Sequence, residues 1–217
     1  MDGVELPAEI LLFDSDGVLV DSDPSVNEAW SEWADRYSLP TAAVLEMVHG
    51  RPARQTVAHW LQEPHRRDAL DLIVRLELAT ASTVRAMPGA VESVSGLGHD
   101  RWAVVTSGTS RLAAARLAAA GIPLPRVLIT ADDVTRGKPA PDPYLAAARG
   151  LGRPAGAAVV FEDAPAGITS ARAAGAGAVV GVGRDTGRLE VDAYVPDLSH
   201  VRFTATSVVV LAPATDC

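Results

Sequence analysis

Asp14 and Asp16 stand two residues apart, directly after an apolar run that ends at Phe13. Thr106 and Ser107 follow a second such run, Glu162 and Asp163 follow a third, and Lys138 lies in a proline-rich turn. Carboxylates gathered from these positions would repel one another without a cation among them. A hard divalent ion with oxygen ligands, magnesium before others, suits that donor set. One lysine and one or two hydroxyls beside the ion would cradle a dianionic phosphoryl group. The chemistry open to such a set is phosphoryl transfer.

The surrounding pattern says what must position these groups. Glu9 to Phe13 reads as a buried strand running into the turn Asp14-Ser15-Asp16-Gly17. From about Asp23 to Arg85 apolar residues recur at helical spacing (Val26, Ala29, Trp30, Trp33; Leu70, Ile73, Val74), broken by Pro40 and Pro64, which predicts three or four helices. Beyond the break at Met87-Pro88-Gly89, strands and helices alternate. Strands are expected at Trp102–Val105, Val127–Thr130, Ala157–Phe161 and Ala178–Val182, with helices at Ser110–Ala120, Asp142–Arg149 and Ala164–Ala174. Residues 192–211 read as short closing strands. Repeated βα units predict an α/β fold with a doubly wound, mainly parallel sheet. The predicted organisation is a core of residues 1–20 and 86–217 interrupted by a helical unit over 21–85. Ligands of such sheets bind beyond the carboxyl ends of the strands, where Asp14, Thr106 and Glu162 fall.

Composition narrows the partners. The 217 residues carry a formal charge of −8 and are 48% hydrophobic, enough for a large buried core. An acidic surface repels nucleic-acid backbones and anionic lipid, so neither nucleic acid nor membrane is expected as a partner. The one cysteine, Cys217, permits no intrachain disulfide, and the first residues lack a basic stretch followed by an apolar run. A cytoplasmic protein, monomer or homodimer, is the expectation.

Four segments carry a family resemblance. Phe13-Asp14-Ser15-Asp16-Gly17-Val18-Leu19-Val20-Asp21-Ser22 resembles the first motif of haloacid dehalogenase superfamily phosphatases, and Val104-Val105-Thr106-Ser107-Gly108-Thr109 the second. Gly137-Lys138-Pro139-Ala140-Pro141-Asp142-Pro143 resembles the third and Val160-Phe161-Glu162-Asp163-Ala164-Pro165-Ala166-Gly167-Ile168 the fourth. They occur in family order. The one departure is Ser15, where the family usually has an apolar or aromatic residue.

The resemblance implies roles. Asp14 would be the nucleophile that forms an aspartyl-phosphate, and Asp16 the acid, then the base. Magnesium would be held by Asp14, the Asp16 backbone carbonyl, Asp163 and Glu162. Lys138 would neutralise nucleophile and phosphoryl oxygens, and either Thr106 or Ser107 would supply the phosphate-binding hydroxyl. Backbone N–H groups near Gly108 would complete the cradle.

A helical insertion between the first two motifs is similar to the family's small-cap subclass, which acts on small phosphorylated metabolites. His49-Gly50-Arg51-Pro52-Ala53-Arg54 matches the substrate-specificity loop of sugar phosphatases and β-phosphoglucomutases, so His49, Gly50, Arg51, Arg54 and Trp30 are candidate substrate contacts. In the mutases a histidine precedes the tryptophan matched by Trp30, and that position here holds Val26. A sugar- or polyol-phosphate phosphatase is therefore expected, with a phosphosugar mutase and a non-catalytic binding protein as the rivals. Plainer roles are expected elsewhere: Asp21 and Ser22 as helix caps, Asp132 and Asp133 in a structural turn, and Trp33, Trp60 and Trp102 in the core.

Overall fold

In the computed structural model, which describes residues 3–48, 51–183, 186, 187 and 189–211, the parallel sheet grows outward from the segment that carries Asp14. After an edge strand β1 (Val4–Pro7), β2 (Ile10–Phe13) is buried at every position. Its neighbours are β5 (Trp102–Val105) on one side and β7 (Ala158–Glu162) on the other, both parallel to it. Beyond these lie β6 (Val127–Ile129), β8 (Ala178–Val182) and β9 (Ala193–Val195), in the order β6-β5-β2-β7-β8-β9.

Both faces of this sheet are apolar, which is why its strands read as continuous hydrophobic runs. Successive side chains point to opposite faces. Leu11, Phe13, Trp102, Val104, Val159 and Phe161 enter one core cluster, while Ile10, Leu12, Ala103, Val105, Ala158 and Val160 enter the other. The second core is closed by α7 (Asp142–Gly150) and α8 (Pro165–Ala173), through Tyr144, Ala147, Ala148, Ile168 and Ala171. The first is closed by α5 (Ala90–Ser95), by Leu117 of α6 (Ser110–Ala119), and by a small antiparallel sheet. That sheet joins β1 to β11 (Ser207–Val210) and β10 (Val201–Phe203). Thus the closing strands divide: β9 extends the parallel sheet, while β11 pairs with β10 on one side and on the other with the amino-terminal strand β1, for which the residue pattern gave no signal.

Between β3 (Val20–Asp21) and β4 (Arg85–Ala86) the described residues form four α-helices, α1 (Asp23–Arg36), α2 (Thr41–Val48), α3 (Ala53–Trp60) and α4 (Arg66–Thr80), and a short 3-10 turn, Ala81–Thr83. They share a core of their own around Trp30, Trp33, Val44, Val57 and Ile73. The indole N–H of Trp33 donates to Ala69 O at 2.9 Å and ties α1 to α4. Trp102 is buried like Trp33, whereas Trp60 ends α3 only half-buried. β3 and β4 pair antiparallel, Val20 opposite Ala86 and Asp21 opposite Arg85, so entry and exit of the helical insertion run side by side.

Candidate active site

β2 lies where the chain's route through the sheet reverses, leading to β5 on one side and β7 on the other, and such a switch point opens a crevice at the strands' carboxyl ends. Asp14 is the first residue past β2, its N–H donating to Phe161 O at 2.9 Å. Thr106 follows β5, with its N–H on Ile129 O at 2.9 Å. Glu162 ends β7 and Asp163 follows it. Lys138, from the loop between β6 and α7, reaches in with a side chain that is 2% exposed.

Lys138 is the hub of the buried half of this site. Its Nζ donates to Asp14 Oδ1, to Glu162 Oε1 and, at 3.1 Å, to Val105 O. Glu162 Oε1 also accepts the phenolic hydrogen of Tyr144 at 2.8 Å, and Glu162 Oε2 accepts the N–H groups of Asp163 and Ala164 at 3.0 and 3.1 Å. A carboxylate has about four acceptor positions, and all four of Glu162's are in use. The ligand role expected of Glu162 therefore competes with these partners, and its geometry is that of an anchor for Lys138.

The acidic charge is incompletely offset. Burial pushes the Asp14 carboxyl up to about 8, and the nearby Glu162 and Asp16 push it the same way, while Lys138 draws it down. Burial, then Asp14 and Glu162, hold Asp163 well above the usual carboxylate range. Oxygens of Asp14, Glu162 and Asp163 lie within 4.8 Å of one another. Gly17 makes room for this approach: its φ is +80°, and a Cβ there would stand 2.2 Å from Asp163 Oδ2.

Asp16 faces the open half. Its Oδ1 accepts from Ser22 Oγ at 2.6 Å and from Arg116 at 2.8 Å, and Thr106 Oγ1 lies 3.4 Å from Oδ2. Ser22 precedes α1, but its side chain makes no capping bond, so the expected cap instead serves Asp16. Asp21 lies in β3. Asp132 and Asp133 form the expected turn, accepting from Ser110 N at 2.8 Å and Thr130 N at 2.9 Å. The Gly108 N–H donates to Thr106 Oγ1 at 3.0 Å.

A pocket rises from Asp14, Asp16 and Asp163 to the helical insertion. Thr106, Ser107, Gly108, Trp30, Arg51 and Arg54 all line it. Arg54 also donates to Thr135 O at 3.3 Å, bridging insertion and core. His49 and Gly50 lie outside the described residues. Two further wall residues, Glu77 of α4 and Arg116 of α6, were not singled out in the sequence. The available signal was a charge at an apolar stripe position: Arg116 falls between the buried Ala113 and Leu117, and Glu77 continues the Leu70, Ile73, Val74 row.

Residues 8–175 match the family model of the haloacid dehalogenase-like hydrolases. The chain belongs to that family. Among curated haloacid dehalogenase-like relatives, hexitol phosphatase A of Escherichia coli (strain K12) is 42% identical, over 89% of this chain and 93% of that protein. Glycerol-1-phosphate phosphohydrolase 2 of Saccharomyces cerevisiae is 33% identical, over 79% and 74% of the two chains. A solved hydrolase from Pseudomonas syringae superposes with a TM-score of 0.78 at 27% identity, covering 88% of this chain and 94% of that one. β-Phosphoglucomutase from Clostridium difficile gives a TM-score of 0.79 over 90% and 94%, at 20% identity, a likeness of fold alone. The chain is a phosphatase of the haloacid dehalogenase-like family.

Proposed function

We propose that this phosphatase is a magnesium-dependent phosphomonoester hydrolase for small sugar or polyol phosphates, working through an aspartyl-phosphate on Asp14. The observation that carries the reading is the buried contact of Lys138 with Asp14, which lines the pocket floor beside Asp16. The relatives that cover most of the chain, among them hexitol and glycerol-1-phosphate phosphatases, support the substrate class.

The donor set fits a magnesium ion. Asp14, Asp16, Glu162 and Asp163 face two cations, Lys138 and Arg116, and a divalent ion with oxygen ligands would offset the excess of negative charge. Asp14, Asp163 and the Asp16 backbone carbonyl would hold it, with Glu162 behind them through Lys138. When bound, the ion supplies electrostatic stabilisation of the phosphoryl oxygens.

In the first step an Asp14 oxygen bonds to phosphorus as the bond from phosphorus to the ester oxygen breaks, and Asp16 gives its proton to the departing alkoxide. Asp16 then takes a proton from water as the water oxygen attacks phosphorus. Inorganic phosphate leaves and the Asp14 carboxylate is restored. Burial works against the Lys138 charge, but Asp14 and Glu162 outweigh it and raise its pKa, so Lys138 faces the incoming phosphoryl group as a cation. Thr106, buried beside Asp16, is the better placed of the two hydroxyl candidates to position the phosphoryl group, and Ser107 lines the pocket beyond it.

Residues 21–85 would act as a cap over a core of 1–20 and 86–217, with the β3–β4 pair as hinge. Trp30, Arg51 and Arg54, which line the pocket, would meet the leaving group, while the other expected contacts, His49 and Gly50, lie outside the described residues. Val26, which lines the pocket, offers no proton-transferring group for a mutase. The absence of any disulfide-forming cysteine pair suits a cytoplasmic setting, and no helix among the described residues is long and apolar enough to cross a membrane.

Phosphate release from a panel of sugar and polyol phosphates, with and without magnesium, tests the reading in the wild type and Asp14→Asn. Stoichiometric, magnesium-dependent release that disappears in the variant is expected. Interconversion of phosphosugar isomers without free phosphate would turn the assignment to a mutase.

A further inference from the structure

Arg116 is an arginine on the apolar side of an alanine-rich helix. Its neighbours on that side of α6 are Leu112, Ala113 and Leu117, all buried, and its own side chain is 4% exposed. The two ends of its guanidinium are spoken for. One nitrogen meets Asp16 Oδ1 at 2.8 Å, and the other lies 3.5 Å from Glu77 Oε1 on α4 of the helical insertion. Burial raises the pKa of Glu77 against the pull of Arg116. The chain of contacts thus runs from the insertion, through one arginine of the core, to Asp16.

Stability alone gives no reason for this arrangement. A buried ion pair is often no better than well-packed apolar residues of similar volume, and the buried neighbours of Arg116 on α6 are alanine and leucines. Capture of a substrate anion gives none either, since both forks of the guanidinium already hold carboxylates. What the contact does determine is the place of Asp16. That carboxylate is 32% exposed at the pocket floor, and among the described residues it is held by Ser22, Thr106 and the charged Arg116. One nitrogen meets Asp16 and the other faces Glu77, so the rigid guanidinium plane is set between the two carboxylates.

We propose that Arg116 is the positioning residue for the acid–base Asp16, and that Glu77 on α4 holds Arg116 in place, so that seating of the helical insertion and alignment of the acid are one event. The proposal rests on the reading of Asp16 as the group that protonates the leaving oxygen.

The readout is leaving-group dependence. An alkyl phosphate needs a proton delivered to its departing oxygen, whereas p-nitrophenyl phosphate expels a stable phenolate without one. Because kcat/KM reports the steps up to the first irreversible one, the ratio of kcat/KM for a polyol phosphate to that for p-nitrophenyl phosphate isolates the acid. Arg116→Met is expected to lower this ratio about tenfold or more, a share of the rate that a positioned acid contributes. Glu77→Gln should lower it less, and Arg116→Lys should recover part of it. Asp16→Asn provides the reference and should skew the ratio at least as far.

A skew in Asp16→Asn with equal losses on both substrates in Arg116→Met would overturn the positioning role while leaving the acid intact. No skew in Asp16→Asn would remove the acid reading, and the proposal with it. Should Arg116→Met fold poorly because Glu77 is left unpaired, the double variant Arg116→Met/Glu77→Met removes both charges together, and the same ratio is read on it.

Discussion

Tyr144 donates its phenolic hydrogen to Glu162 Oε1 at 2.8 Å, and the same oxygen accepts from Lys138. Tyr144 is fully buried, and burial together with the negative charge of Glu162 raises its pKa well above the usual range, so it remains a donor. The Lys138 ammonium also lies 5.2 Å from the centre of the Tyr144 ring. Two side chains from separate elements, Tyr144 of α7 and Glu162 of β7, thereby fix where the cation stands against Asp14.

Tyr144→Phe keeps the ring and removes one hydrogen bond to a charged acceptor. The expected loss is about 2 kcal/mol of stability, accompanied by a lower kcat as Glu162 and Lys138 gain freedom. Urea unfolding and phosphate-release kinetics on the purified variant check both parts. An unchanged midpoint and kcat would deny Tyr144 this role.

Gly167 packs its backbone against Glu162, and a Cβ there would stand 1.6 Å from Glu162 Oε1. The carboxylate cannot retreat without breaking its bonds to Lys138, Tyr144, Asp163 and Ala164. Gly167→Ala should therefore cost about 3 kcal/mol and most of the activity. Thermal unfolding beside an activity assay reads both, and a variant with wild-type melting and turnover would contradict the packing argument.

The raised Asp14 carboxyl makes the stability of the metal-free protein depend on pH. In the unfolded chain Asp14 loses its proton near 3.8, while in the folded protein it keeps it up to about 8. Over that interval the folded state binds more protons, so stability falls as pH rises. Asp163 is shifted in the same direction. In the presence of a chelator the melting temperature should decline between about pH 5 and about pH 8, and added magnesium should restore more of it at the alkaline end, where protons compete less for the carboxylates.

Asp163→Asn separates metal binding from charge repulsion. With one acidic group removed, the metal-free variant should melt higher than the metal-free wild type, because burial, then Asp14 and Glu162, destabilise the charged form of Asp163. The magnesium concentration for half-maximal activity should rise roughly tenfold to a hundredfold. Titration of activity with magnesium and calorimetry of the metal-free forms measure the two effects.

Much of the fold was legible in the residue pattern because buried parallel strands are apolar on both faces. Trp102–Val105 and Ala178–Val182 occur where the runs predicted, and the other parallel strands begin or end within a residue or so. The helices α6, α7 and α8 likewise follow their expected spans closely, since glycine or proline marks their ends. β1 gave no such signal. Its four residues are mostly exposed, and only pairing with β11, about two hundred residues away, makes them a strand.

The sequence by itself determined which groups could meet at the strand ends, because each of Asp14, Thr106, Glu162 and Asp163 follows an apolar run whose burial is dictated by local composition. Only the tertiary structure decided how they share their partners. Glu162 turned inward to Lys138 and Tyr144, and Ser22 left its helix end for Asp16. Arg116 and Glu77, each a charge out of place on its own helix, became intelligible once packing set them against each other. A buried charge needs a partner, and sequence spacing carries no information about one 39 residues distant on another helix.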